Sequence, residues 1–315
     1  MVAKKFYLLC TFLVFIIAFC FVSNGKADLT VYFLDVGQGD SAIIVCDDEA
    51  MIIDGGLPGQ SSKIHSFLEK HHINRLLYVV ATHPDQDHIG GLPAALQQVK
   101  VQYIFSPVKK YDSDRFDDLL RYAENQRLKI KVPDKKVYYL GEATITFYNC
   151  ERERKNFVQS LRDKVSSILN RNEPEENHEN NDISLVVRID YGNVAFLFTG
   201  DIEKDAEQRL LEDSKVEDSE VDLKADVIKI SHHGSDSSSS RAFLQKVNPT
   251  YAVISCGESN KFGHPSATTL KSLLEMDIKL FRTDMQGDIT FSSDGETITF
   301  STEKQAQGNL YQVQR

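Results

Sequence analysis

The chain has 315 residues, 41% of them hydrophobic and 26% charged, the balance of a folded α/β domain with a sizeable core rather than of a disordered or fibrous chain. Its formal net charge of −10 repels nucleic acid at long range and argues against a stable coat of bound nucleic acid. Five cysteines, none in a C-x-x-C pair, make neither a disulfide framework nor a thiolate metal site, and Cys46, Cys150 and Cys256 read as free thiols beside strands.

Residues 1–27 stand apart. Lys4 and Lys5 precede an apolar run from Phe6 to Val22, and Gly25-Lys26-Ala27 puts small residues three and one before a cut. The pattern predicts a secretory signal peptide cleaved after Ala27. The same run, somewhat short for a span of ~20 residues, also fits an uncleaved membrane anchor through residues 6–22. Both readings put the main domain, residues 28–302, outside the cell or on the outer face of the cytoplasmic membrane. Loss of the leader removes Lys4, Lys5 and Lys26 and no acid, which makes the mature chain more acidic still.

Thr30 to Asp35 predicts a strand, Val36-Gly37-Gln38-Gly39-Asp40 a glycine-rich turn, and Ser41 to Cys46 and Met51 to Asp54 two more strands. Asp54 precedes Gly55-Gly56, so a carboxylate sits at a strand end on a permissive turn. Ser61 to His72 spaces Ile64, Phe67 and Leu68 as a helix does, with His71 and His72 as solvated residues near its end. Leu76 to Val80 is a short β-branched run that predicts a buried strand.

That strand leads into Thr82-His83-Pro84-Asp85-Gln86-Asp87-His88-Ile89-Gly90-Gly91, where four candidate ligands, His83, Asp85, Asp87 and His88, fall within six residues. Imidazole nitrogens and carboxylate oxygens converging on one small space suit zinc, manganese or iron. A packing role would leave two carboxylates close together beside an apolar strand, at a cost in desolvation and repulsion.

Further on, Leu92 to Val99 and Asp112 to Gln126 predict helices, and Tyr103 to Ser106, Val137 to Leu140 and Ala143 to Asn149 predict strands. Residues 151–181 break the rhythm: a helical pattern through Phe157, Leu161, Val165, Ile168 and Leu169 runs into an acidic loop with no apolar residue, an insertion that includes His178. Leu185 to Ile189 and Val194 to Phe198 are strands, followed by Thr199-Gly200-Asp201 and a helix from about Glu203 to Leu211. Asp201 can be read as the N-cap of that helix or as a ligand. Asp226 to Ser231 predicts a strand ending in His232-His233-Gly234-Ser235. Tyr251 to Ser255 is a strand leading to a loop with Asn260 and Gly263-His264-Pro265, then a helix over Thr268 to Met276. Phe281 to Thr283 and a hairpin turned by Asp294-Gly295 follow, and 303–315 reads as a flexible tail. No phosphate-binding loop or dinucleotide fingerprint occurs, because the VGQGD run has the wrong spacing for either.

The run from His83 to His88 resembles the HxHxDH signature of the metallo-β-lactamase superfamily, with Asp85 in place of the middle histidine. Together with LDVGQGDS (34–41), TGD (199–201), HHGS (232–235) and N-x-x-GHP (260–265), it is similar to the hydrolase domain of the ComEC-type competence proteins, from about Leu29 to Phe300. The resemblance implies a four-layer αββα sandwich of the α/β class. It implies two divalent metal ions, zinc first and manganese second, at one edge of the sandwich. In that assignment His83 and Asp85 hold one metal, Asp87 and His88 the other, Asp201 bridges, and His233 completes the second site, with His232 as the alternative ligand. Asp54, and with it Asp40, steadies the metal-binding loops rather than binding metal. Asp87, Asp201 and His264 serve the chemistry, His264 facing metal or substrate. One departure stands out: a further histidine usual between the central cluster and the bridging aspartate is represented only by His178, with Asn181 and Asp182 as substitutes. The function implied is a secreted metal-dependent hydrolase using a metal-bound hydroxide, a phosphodiesterase or nuclease whose substrate could be single-stranded DNA. A small phosphoester, lactone or β-lactam hydrolase is the alternative within enzymes. A non-catalytic extracellular binding module on the same scaffold is the alternative outside them.

Overall fold

Each half of the chain lays down strands first antiparallel and then parallel, and the parallel part of each half delivers its strand ends to one edge. In the computed structural model, residues 29–134, 137–150, 181–216 and 219–313 are described. The leader, and the insertion up to residue 180 with His178, lie outside them.

The first half comprises β1 (Leu29–Phe33), β2 (Ala42–Cys46), β3 (Glu49–Ile53), α1 (Ser61–Lys70), β4 (Arg75–Val80), α2 (Gln86–Ile89), α3 (Leu92–Ala95), β5 (Lys100–Phe105), α4 (Asp114–Asn125) and β6 (Ile130–Lys131). The second comprises β7 (Tyr138–Leu140), β8 (Ala143–Tyr148), β9 (Val186–Tyr191), β10 (Val194–Phe198), α5 (Lys204–Asp213), β11 (Val227–Lys229), α6 (Arg241–Val247), β12 (Tyr251–Ile254), α7 (Ala267–Glu275) and β13 (Lys279–Arg282). After α8 (Thr283–Gln286) the chain returns to the first sheet as β14 (Ile289–Ser293) and β15 (Ile298–Thr302). Strand order is β15-β14-β1-β2-β3-β4-β5-β6 in one sheet and β13-β12-β11-β10-β9-β8-β7 in the other. Pairing is parallel from β3 to β6 and from β10 to β13.

Three apolar layers hold this together. Phe33, Met51, Tyr78, Phe105, Val187, Phe198 and Phe291 lie between the sheets. Ile64, Leu68, Leu92, Phe116 and Leu119 cover the first sheet, and Leu210, Phe243, Leu244, Leu270 and Leu273 cover the second. Strands such as β10, buried at every position, need both faces apolar, which is why VAFLF has no alternation. The architecture is the expected αββα sandwich.

Some expectations are corrected. The strand expected over Asp226 to Ser231 spans only Val227–Lys229, because from Ser231 the chain turns into a short 3-10 segment in which His232 and His233 are left-handed. His71 is not a freely solvated residue: its ring stacks on Phe67 at 4.2 Å and lies 5.0 Å from Tyr32, and burial lowers its pKa. The tail expected to be loose at 303–315 is anchored through residue 312. Tyr311 Oη donates to the Ile278 carbonyl at 2.7 Å, and the buried Arg282 guanidinium donates to the carbonyls of Leu310 (3.0 Å) and Gln312 (2.7 Å). A polar composition hid two anchors, Leu310 and Tyr311, that pack against the outer helical layer.

Candidate metal centre

Ligands gather outside the carboxyl ends of parallel strands, where loops are free to carry side chains. Here β3 ends in Asp54, β4 in the His83–His88 loop, β10 in Asp201, β11 in His232-His233, and β12 in the loop that carries His264. Backbone bonds sew these loops together: Asp40 N donates to Asp87 O at 3.2 Å, Leu185 N to Thr82 O at 2.8 Å, and His232 N to Gly200 O at 3.2 Å. The approach of the 36–40 turn requires Gly39, with φ +136°, since a Cβ there would lie 2.3 Å from Asp87 O. His232 and His233 take successive left-handed conformations, φ 48° and 52°. Each costs on the order of 1–3 kcal/mol for a non-glycine residue, strain that clusters at working sites.

Asp201 Oδ2 is the point of convergence. It lies 3.2 Å from His88 Nε2, 3.4 Å from His233 Nε2 and 3.9 Å from His83 Nε2. His233 Nε2 is also 3.3 Å from Asp87 Oδ2. Ligand atoms group closely in four overlapping sets: His83, His88 and Asp201; Asp87, His88 and His233; Asp40, Asp201 and His233; Asp40, Asp54 and His88.

The far side of each imidazole is committed. His88 Nδ1 lies 2.8 Å from Asp54 Oδ2, and Asp54 also accepts from Thr82 N (2.8 Å) and Thr82 Oγ1 (2.6 Å). His233 Nδ1 donates to the Ser255 carbonyl at 2.9 Å and lies 3.3 Å from Asp40 Oδ1. Asp40 Oδ2 lies 2.6 Å from Lys229 Nζ, which also donates to the Ile230 carbonyl. Such partners fix the tautomer and turn Nε2 toward a metal. His83 Nε2, His88 Nε2, His233 Nε2 and Asp201 Oδ1 are buried without a hydrogen-bond partner. Buried polar atoms left without hydrogen-bond partners and converging from three strand ends are costly unless a cation completes them, so the residues present fit a divalent metal.

Electrostatics agree. Burial pushes the His83 pKa down, and the neighbouring His88 charge helps bring it to about 3, leaving the ring neutral. For His233 burial also presses downward, but the Asp201 and Asp40 carboxylates lift it to about 10. His88 is raised the same way by Asp201 and Asp54. For Asp201 burial presses upward and is outweighed by the His88 and His233 charges, which hold it well below the usual carboxylate range.

Not every expected residue joins the groups. Asp85 stands 3.9 Å from His83 Nε2, with its side chain partly exposed, at the N-cap position of α2; burial raises its carboxyl to about 6. His232 points Nδ1 at Glu203 Oε1 (3.2 Å) and Ser237 Oγ (3.3 Å) and lies outside the four groups. His264 is also outside them, its ring 5.5 Å from that of His232 and 6.4 Å from that of His233, with Nδ1 buried and unpartnered. Asn181 donates to Glu203 Oε1 and Asp182 accepts from Glu203 N, so both substitutes for the missing histidine are engaged elsewhere. The N-cap reading of Asp201 fails, since α5 starts after Glu203. Asp40, expected only to steady a loop, enters two of the groups. Sequence reasoning missed Thr82 and Lys229. Lys229 left a signal, one cation inside the apolar run Val227 to Ile230, one residue short of HHGS.

Residues 34–258 match the family model described as the metallo-beta-lactamase superfamily. The chain belongs to that superfamily. It is 28% identical to ComE operon protein 3 of Bacillus subtilis (strain 168), over 92% of this chain and 36% of that protein. It is also 28% identical to Competence protein ComA of Neisseria gonorrhoeae, over 86% of this chain and 33% of that protein. The chain thus spans about a third of the length of these relatives. Among solved structures, a CmlA beta-hydroxylase E377D mutant superposes with a TM-score of 0.53 at 12% identity, over 85% of this chain and 54% of that one, a likeness of fold.

Proposed function

We propose that this chain is a phosphodiesterase working at two divalent cations, zinc or manganese, with single-stranded DNA as its substrate. The observation that carries the reading is the convergence of His83, His88 and His233 Nε2 on Asp201, with the far side of His88 and of His233 held by Asp54 and by Ser255 and Asp40. Asp87, His88, His233 and Asp201 would hold one ion; His83 and Asp201, with Asp85 at longer range, would hold the other more weakly. When bound, such ions polarise phosphoryl oxygens and lower the pKa of water toward ~7. The residues themselves do the rest. Asp201 spans both positions with one carboxylate, Asp54 and Asp40 keep the imidazoles aligned, and His264 at the rim faces the substrate. No serine or cysteine nucleophile is then needed. Similarity to a relative named as a competence protein supports a nucleic-acid diester over a lactone or β-lactam.

The leader supports export. Among the described residues no helix is long and apolar enough to cross a membrane, so residues 6–22 would be the attachment if it is retained. The test of activity is the metal-loaded chain against bis(p-nitrophenyl) phosphate, single-stranded DNA, a lactone and a β-lactam. Turnover of the first two supports the reading; turnover of a lactone or β-lactam alone overturns it.

A further inference from the structure

The loop between β12 and α7 carries Phe262 into solvent beside the centre. The residue is 51% exposed. Single exposed apolar residues are ordinary on protein surfaces, so exposure by itself decides nothing; the way the loop is built does. Asn260 pins the loop with four hydrogen bonds. Its Oδ1 accepts from Phe262 N (3.2 Å) and His264 N (3.0 Å), and its Nδ2 donates to Gly257 O (2.9 Å) and His264 O (2.6 Å). Phe262 is therefore held in water by a rigid turn. Its ring lies nearly parallel to that of His264, 22° apart with centroids at 5.8 Å, and His264 in turn neighbours His232 and His233. An aromatic row thus runs from a candidate metal ligand to the surface. Lys261 Nζ stands over the Phe262 ring at 5.0 Å, a cation at the outer end of a centre otherwise rich in carboxylates. Phe300, also exposed, belongs to a different place, the edge strand β15, where its ring packs among Phe281, Tyr251 and Phe291.

We infer that Phe262 is a stacking platform for a nucleobase next to the scissile phosphodiester, with Lys261 meeting the adjoining phosphate. The inference rests on the phosphodiesterase reading and adds what that reading leaves open, namely what would favour a nucleic-acid strand over a simple diester. Every base has a π-face, so the platform selects bases without selecting sequence, while the lysine supplies a local attraction on a chain of net negative charge. Base stacking on an aromatic ring is worth about 1–3 kcal/mol per base, about 5- to 150-fold in affinity.

The full chain loaded with manganese is tested on oligothymidylate and on an abasic oligomer of the same length, with bis(p-nitrophenyl) phosphate as a check on the centre. The wild type should favour oligothymidylate through a lower KM, and Phe262→Ala should bring the ratio of the two close to one. The chain contains no tryptophan, so Phe262→Trp creates a single reporter. Its fluorescence should be quenched by oligothymidylate and not by the abasic strand, a readout independent of turnover. An unchanged ratio in Phe262→Ala, or equal responses of the tryptophan to both strands, overturns the platform while leaving the phosphodiesterase reading intact. No turnover of any diester by the metal-loaded wild type overturns that reading and the platform with it.

Discussion

At the level of single residues, the groups behind the imidazoles matter as much as those in front. Asp54 uses its two oxygens for three donors on Thr82 and His88. An amide cannot reproduce that set, so Asp54→Asn should weaken metal binding by about 10- to 100-fold, the usual scale for losing a partner behind a ligating histidine. Competition against a chromogenic chelator measures it, and wild-type affinity in the variant would make Asp54 a bystander. Lys229 is 3% exposed and its cation compensates Asp40. Lys229→Met should leave that carboxylate buried and uncompensated, at a cost of about 3–5 kcal/mol in denaturant melts. Adding Asp40→Asn should recover part of the loss; strict additivity of the two changes would show that they do not act as a pair. These roles explain what the letters could and could not convey. His83, Asp87, His88 and Asp201 were legible because short apolar runs ended in turns carrying carboxylates and imidazoles. Thr82 and the two-sided position of Asp40 were not, since each depends on a partner far along the chain, and the lone cation Lys229 showed in the sequence without its partner Asp40.

At the level of elements, strands were more legible than their limits. The β-branched runs marked β3, β4 and β10, while β11 ends early because His232 and His233 turn left-handed, a conformation that no periodicity encodes. The αββα order followed from where strands pair, which only the resemblance made readable from the letters. The C-terminal segment was misread, because polarity was taken for looseness. Its Tyr311 bridges the approach to β13, and its carbonyls satisfy Arg282, a cation almost wholly buried and paired with Asp284. Removing residues 303–315 should strip two charge-assisted bonds from that guanidinium and cost about 3 kcal/mol or more. A thermal melt checks this, and an unchanged Tm would return the segment to the status of a tail.

At the level of the whole molecule, two sheets meet so that strand ends from both halves face one centre, and a cation there ties the halves together. Anything that binds only the folded chain stabilises it in proportion to the logarithm of its concentration over Kd. Stripping divalent ions with a chelator should therefore lower the Tm of the whole domain, and adding back zinc or manganese should restore it; a melt indifferent to both would leave the orphaned nitrogens of His83, His88 and His233 unexplained. Because Glu203 rather than Asp201 begins α5, Asp201 can be altered without uncapping a helix. The most direct test is Asp201→Asn, read as metal stoichiometry beside kcat/KM on a phosphodiester. The amide cannot supply the negative charge and the two oxygens that serve both positions, so activity should fall by about a hundredfold or more, the scale of lost transition-state electrostatics, and bound metal should fall from two ions toward one. Activity within a few-fold of the wild type with both ions retained would contradict the two-cation centre.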